Sequence, residues 1–586
     1  METNEKTFRA WFKRELPLIL AFLIPLIAML LVFIQRKIYP FGDRSFLRTD
    51  LYHQYAPFFR ELKDKFLNGE SLLYSWDIGG GTNFVALMAY YLASPLNWFL
   101  FLCPVEFVIE FISYMIVLKI ALCGLSFAWY LRKHTRTNSI GIAFFATFYA
   151  LSGYMAAYSW NIMWLDCLIL FPIIILGLER LVYEDKCLLY CISLSLCVLS
   201  NYYISIMVCL TLIIYFLALL FIAPMRREEI ERVDSHRLIK RSIFMNYPKK
   251  IFEFAFYSFL AAGISMIVLL PEMKALQMSA SADSTFPKTF SSYFSMLEML
   301  ARHLVDVEVH IGLDHWPNLY CGVGILMFIP LYIMNRKVNY REKFAYAGLA
   351  LIFLASFSMN FLNFIWHGFH YPNSLPCRQS FAYDFIILVA AYKGFMGLKD
   401  RSLKEIAHAV LVALGLILLF EQVTKGNKLF HFHVFYVSAI FIGFYGLFSY
   451  LYRKKIESRG YSRGLAIAAC SLVLIEGFLN TTVTSVTTID RPAYVEQVGD
   501  FGSLYAAAKE RANQSAYAEY YRDEFKDYGD IELTNLFRLE RFNLRTKNDG
   551  SWFQYPSISV FSSVANARLS DFYKKVGMES NTNAYS

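Results

Sequence analysis

The sequence predicts an α-helical polytopic membrane protein, with about 13 transmembrane helices and a small mixed α/β extracytoplasmic C-terminal region. Three observations carry that class. Hydrophobic residues make up 57% of the 586 and charged residues only 18%, with a mean hydropathy of +0.39, which excludes an ordinary soluble globule. The run from Leu16 to Ile34 has no charge and, at about 1.5 Å per residue, is long enough as a helix to cross a hydrocarbon core of about 30 Å. Comparable runs follow along the chain, separated by connections whose basic clusters recur on one side.

The first run is too long for a signal peptide and lacks a small-residue cleavage site. Reading on, spans are expected near 16–34, 105–131, 140–158, 167–183, 187–200, 203–222, 251–270, 321–335, 344–358, 382–397, 408–420, 434–452 and 464–479. The stretch from Cys187 to Ile222 is divided at Ser200-Asn201-Tyr202-Tyr203, where polar and aromatic residues suit an interfacial break. Phe84 to Cys103 is apolar enough for a further span, but inserting one would flip every later loop. It therefore reads as interfacial or re-entrant and buried against protein.

Alternating these spans from a cytoplasmic N-terminus gathers Lys13-Arg14, Arg132-Lys133, Arg226 to Lys250, Arg336-Lys337, Lys399 to Lys404 and Arg453-Lys454-Lys455 on the inner side. The C-terminus then lies outside. Residues 1–480 form the transmembrane domain, with a first outer loop over 35–104, and residues 481–586 an extracytoplasmic region. That region is Thr-rich at 480–488, then balanced in charge, with mixed strand and helix expected at 517–530 and 533–542. It ends at Asn583-Ala584-Tyr585-Ser586 without an obvious closing element and reads as an incomplete domain.

The first outer loop breaks the charge rule, since it carries Arg36, Lys37, Arg44, Arg48, Arg60, Lys63 and Lys65. Either an anionic ligand sits there or these cations solvate surface helices against phospholipid headgroups. The ten cysteines lie mostly inside expected helices, with no CxxC pair and none in the outer tail, and read as small apolar filler. No Walker loop, dinucleotide fingerprint or HExxH spacing occurs, so ATP-driven transport and nicotinamide chemistry have no support. Nothing points to nucleic acid.

Polar and aromatic residues concentrate in the loops expected outside. Asp50 leads, as an ionisable carboxylate at a membrane boundary. With it come Gln54, Tyr55, Gly79-Gly80-Gly81-Thr82-Asn83, Tyr90-Tyr91, Asp166 after an aromatic turn, Tyr202-Tyr203, Asn318-Leu319-Tyr320 and the segment from Trp366 to Arg378, which includes His367 and His370. Together they predict one outer cavity suited to a lipid-linked substrate. Arg378 is the first choice for a phosphate, because a guanidinium fork fits its oxygens. The tyrosines serve as sugar-stacking platforms or as membrane-belt anchors, Gly79 to Gly81 as a tight turn, and the histidines as interfacial structural residues or bases.

The ordered series Asp50-Leu51-Tyr52-His53-Gln54-Tyr55, Gly79 to Asn83, Tyr90-Tyr91, Ser94-Pro95-Leu96-Asn97, Ser200 to Tyr203, Asn318 to Tyr320, Pro372-Asn373 and Arg378-Gln379-Ser380-Phe381 resembles the YfhO family of bacterial membrane proteins, over nearly the whole chain. That family is similar to the type C glycosyltransferases, GT-C, which take a sugar from a polyprenyl-phosphate carrier at the outer face of the membrane. The resemblance implies a GT-C-like fold in the bacterial cytoplasmic membrane. It implies a polyprenyl-phosphate-linked sugar as donor, an anionic surface polymer such as a teichoic acid as acceptor, and partners that make and flip the donor lipid. Asp50 matches the acidic residue of the first outer loop that activates the acceptor hydroxyl, with Arg378, Gln54, Tyr55, Asn83, Tyr90, Asp166, Tyr202, Tyr203, Tyr320 and His367 expected to bind substrate. Some type C relatives hold a divalent metal on an adjacent acidic pair. Here Leu51 follows Asp50, so no tightly held metal is expected, and a loose cation would draw on Asp43 or Asp166. Asp50 and Asp166 also have a plainer reading as helix caps. The rival functions are a flippase for lipid-linked sugars and a scaffold for wall-polymer assembly.

Overall fold

A computed structural model of the chain describes residues 2–234, 246–279, 286–312, 314–372, 374–457, 463–484, 486–496, 498, 501–515, 519–520, 538–581 and 583–585, with side chains left out at 2–7, 224–234 and 457. Long apolar runs make helices because lipid leaves the backbone no other partner. In chain order these are α1 (Glu2–Gln35), α2 (Ala56–Asn68), α3 (Phe84–Tyr91), α4 (Val108–Thr135), α5 (Gly141–Ala150), α6 (Gly153–Tyr158), α7 (Leu165–Glu184), α8 (Leu188–Ser200), α9 (Tyr202–Asp234), α10 (Tyr247–Ile264), α11 (Met266–Leu276), α12 (Met296–Ala301), α13 (Ile325–Ile333), α14 (Tyr340–Ser358), α15 (Asn360–Trp366), α16 (Ser380–Met396), α17 (Leu403–Val423), α18 (Phe432–Glu457) and α19 (Arg463–Thr484).

Every apolar run of the sequence forms helix, but not every one is built to cross a membrane alone. Among the described residues, 7 helices are long and apolar enough, the stretches at Phe8–Gln35, Val105–Thr135, Tyr202–Ala223, Ser380–Asp400, Leu403–Val423, Phe432–Ile456 and Arg463–Thr484, or up to 9 if two bent pairs are each one span. One bent pair joins α10 to α11 at 76°. The other joins α3 to Pro95–Leu102 at 106°, the geometry of a broken span or a re-entrant loop. The remaining runs fall short for visible reasons. The run at 140–158 breaks between α5 and α6 at Leu151-Ser152, α8 has 13 residues and α13 has 9. Charges enter the ends of α7 (Asp166, Glu179, Arg180) and α14 (Arg341, Glu342, Lys343).

Close helix contacts are made at small residues, as lipid-embedded packing favours. A Cβ on Gly124 of α4 would lie 2.4 Å from the Ala21 carbonyl of α1, and one on Gly394 of α16 would lie 2.1 Å from the Phe328 carbonyl of α13. The predicted inner clusters meet at one end of the bundle: Arg132 pairs with Glu15, Asn138 donates to the Arg14 carbonyl, Lys337 pairs with Asp400 and Arg453 donates to the Arg401 carbonyl.

The predicted outer loops meet at the other end. Tyr158 donates to the Pro376 carbonyl, Asn201 to the Tyr90 carbonyl and the Gly153 amide to the Tyr320 carbonyl. The C-terminal region packs on the first outer loop. Arg44-Ser45 pairs antiparallel with Ile489-Asp490, Arg491 pairs with Glu110, and the amides of Gly79 and Gly80 donate to the carbonyls of Ser559 and Ser557. Gly79, Gly80 and Gly81 all have positive φ (+60°, +76° and +130°), so the turn needs glycine, and Tyr585 donates to the Gly79 carbonyl across it. The strand and helix expected at 517–530 and 533–542 lie largely outside the described residues, as does Asn373.

Candidate functional site

Asp50 heads a single π-helical turn, Leu51–Tyr55, that runs directly into α2. Such turns recur at functional sites because they re-aim side chains out of register. Asp50 itself is already helical (φ −67°, ψ −25°) and its side chain caps nothing. The plainer reading as a helix cap is therefore set aside. The carboxylate is partly buried and makes no hydrogen bond or ion pair among the described residues. Burial pushes its pKa up to about 6, against the opposing pull of the nearby Arg378 guanidinium.

Arg378 comes from the last turn before α16, some three hundred residues along the chain. Its Nε donates to the Leu375 carbonyl at 2.9 Å and its Nη2 to the Ser374 carbonyl at 3.0 Å, while the planar group lies over the rings of Tyr203 (5.0 Å) and Trp164 (5.2 Å). Backbone carbonyls and ring faces orient the cation without neutralising it. No carboxylate lies within ion-pair distance of it among the described residues.

Aromatic side chains wall the same region. Tyr90 packs against Tyr91 (4.6 Å between ring centres) and Tyr202 (5.6 Å), Tyr55 against Tyr91 and Trp160, and Tyr203 against His370. Their hydroxyls are tied into a buried network: Tyr55 donates to Asn161 Oδ1 and Tyr91 to Gln54 Oε1, both at 2.7 Å. The Ser563 amide donates to Tyr91 at 2.8 Å, so the C-terminal region reaches the same network. It also holds the π-turn from outside, through Tyr494 on the Tyr52 carbonyl and Asn548 on the His53 carbonyl.

The other expected site residues are engaged in different ways. Asp166 is buried and neutralised: Lys119 of α4 reaches Oδ2 at 2.5 Å and Ser94 donates to Oδ1 at 2.7 Å. Asn83 is exposed and accepts the Ala86 amide as the cap of α3. Tyr202 donates to Glu272 and Tyr320 to Glu476 of α19. His367 is fully buried, its Nδ1 donating to the Asn363 carbonyl at 2.7 Å, and burial together with Arg378 holds it well below the usual histidine range. His370 is likewise lowered, to about 4, by burial first and Arg378 second. Both rings are neutral at pH 7. Among the described residues no group of three or more His, Cys, Asp and Glu side chains is placed to hold a metal ion.

Sequence reasoning missed Lys119 opposite Asp166, and it named only as loop members three further contributors: Trp164 under Arg378, Asn161 on Tyr55, and Arg48, a partly buried guanidinium near Tyr158 with a pKa lowered by burial. Lys119 did leave a signal, because a lysine in the middle of an apolar run needs a counter-ion. The site as built can accept a proton at Asp50 and hold an anion at Arg378.

Residues 21–586 match the family model described as bacterial membrane protein YfhO, and the chain belongs to that family. No curated protein and no solved structure matches it significantly.

Proposed function

We propose that this YfhO-family chain is a membrane glycosyltransferase that moves a sugar from a polyprenyl-phosphate carrier to a cell-surface polymer. One observation supports this reading above the others: among the described residues, an acid without a partner and a cation without a counter-ion stand within electrostatic reach of one another, walled by tyrosines, at the end of the bundle opposite the basic clusters. Asp50 takes the proton of the acceptor hydroxyl as that oxygen attacks the anomeric carbon. The bond from the anomeric carbon to the lipid phosphate breaks, its electron pair leaves with the phosphate, and the configuration inverts. A phosphate is already a good leaving group, so one base suffices and no second carboxyl is needed as an acid. Arg378 stabilises the charge that develops on the phosphate.

In this reading the bundle has the GT-C arrangement with 13 spans, the shorter and broken helices completing the seven to nine that cross by length and composition alone. The protein lies in the bacterial cytoplasmic membrane with its N-terminus inside and the C-terminal region outside over the first loop. The donor lipid enters from the bilayer and the anionic polymer from the aqueous side. The test is purified protein with a polyprenyl-phosphate sugar, following release of polyprenyl phosphate with and without acceptor polymer. Acceptor-dependent release is the expected result. Absence of release with any acceptor and donor sugar would end the proposal.

A further inference from the structure

The end of the bundle away from Asp50 holds a cavity of about 460 Å³ between α1, α5, α13, α16, α18 and α19. That size falls in the usual range for small-molecule sites. Its walls are apolar over most of their length, with side chains such as Phe328 and Val473. The two lysines and the amide of its lining collect at one end, where Lys13, Asn138, Ser139 and Lys455 line it. This is the end at which Arg132 pairs with Glu15 and Asn138 donates to the Arg14 carbonyl, so the cationic mouth opens among the basic clusters. At the deep end the lining Tyr445 donates, together with Tyr320, to Glu476 of α19. From Lys455 to Tyr445 is ten residues of helix, a depth of about 15 Å.

We infer that this cavity binds an anionic phospholipid of the inner leaflet, its headgroup phosphate on Lys13 and Lys455 and part of an acyl chain along the apolar wall. The pattern of one cationic end and one long apolar wall is that of an amphiphile with a negative head. A zwitterionic lipid would fill the wall equally well but gain less at the lysines. Basic pockets between helices on the cytoplasmic side are known to select acidic headgroups by this means. The site is separate from the one at Asp50 and its occupancy does not depend on whether sugar transfer occurs.

The test is retention of lipid by the full chain, reconstituted with equal phosphatidylglycerol and phosphatidylcholine, extracted in mild detergent and weighed by native mass spectrometry. Phosphatidylglycerol should be retained in preference, one molecule per chain. Lys13→Gln combined with Lys455→Gln should lower that preference by about thirtyfold, whereas Lys454→Gln, at an exposed lysine that does not line the cavity, should leave it unchanged. Ala469→Trp should exclude lipid by filling the wall. If that variant does not fold, the lysine pair decides. Equal retention of the two lipids, an unchanged preference in the double lysine variant, an equal loss with Lys454→Gln, or displacement of phosphatidylglycerol by an equimolar polyprenyl phosphate would each overturn the inference.

Discussion

Asp50 and Asp166 invite comparison, because both are carboxylates near the start of a helix at the same end of the bundle, and the two have opposite surroundings. Asp166 is met by Lys119 and Ser94, so both its oxygens are engaged and its charge is cancelled inside the protein. Asp50 has neither kind of partner among the described residues, lies partly buried, and has the effect of that burial opposed by the more distant Arg378. A buried ion pair that has been completed is a structural unit, since removing either partner strands a charge. An incompletely compensated acid is held near the pH at which it can exchange a proton. Position near the start of a helix at one end of the bundle is shared by both residues; the set of partners separates them.

The comparison breaks most sharply on rate. Asp50→Asn should slow sugar transfer by about two to four orders of magnitude, the usual loss of a general base, while expression and donor-lipid binding persist. Lys119→Met should do the reverse: a loss of about 3–5 kcal/mol of stability, read as a lowered melting temperature in detergent, because Asp166 is left buried and unpaired. Adding Asp166→Asn to Lys119→Met should restore much of it. Arg378→Lys keeps the charge but loses the fork, so transfer should fall by about tenfold with the fold intact. Full activity in that variant would remove Arg378 from the phosphate site. The smallest effect is expected at Asn83→Ala, which deletes the cap of α3 and should cost about 1 kcal/mol of stability. A change in donor KM in that variant would instead make Asn83 a binding residue.

Much of this was legible in the chain. Charge-free runs and one-sided basic clusters imply helices in a membrane, and the same alternation predicts that loops as remote as 50–55, 158–166, 201–203 and 366–378 meet at one end. They do, as the contacts of Tyr55 with Asn161 and of Arg378 with Trp164 and Tyr203 show. What stayed hidden depends on contacts between segments far apart in sequence. Nothing local to Asp166 announces Lys119, 47 residues earlier on another helix. Nothing in the turn Gly79 to Gly81 announces that Ser557, Ser559 and Tyr585 will grip it. The break between α5 and α6 also escapes a reading by hydropathy, since Leu151-Ser152 interrupts the helix without interrupting the apolar run.

The central claim is that Asp50 acts as the base with a pKa near 6, and the pH dependence of single-turnover transfer tests it most directly. Because burial raises this carboxyl above its ordinary range, its ionised form is disfavoured in the folded protein below about pH 6 and predominates above it. The same shift means that the stability contributed by this group falls as pH rises from about 4 to 6, so Asp50→Asn should be no less stable than the parent at pH 7. The account predicts that the parental rate rises about tenfold per pH unit up to a plateau beginning near pH 6, and that Asp50→Asn is slow and lacks this limb. An Asp50→Asn protein that transfers sugar at the parental rate, or that keeps the parental pH profile, would contradict it.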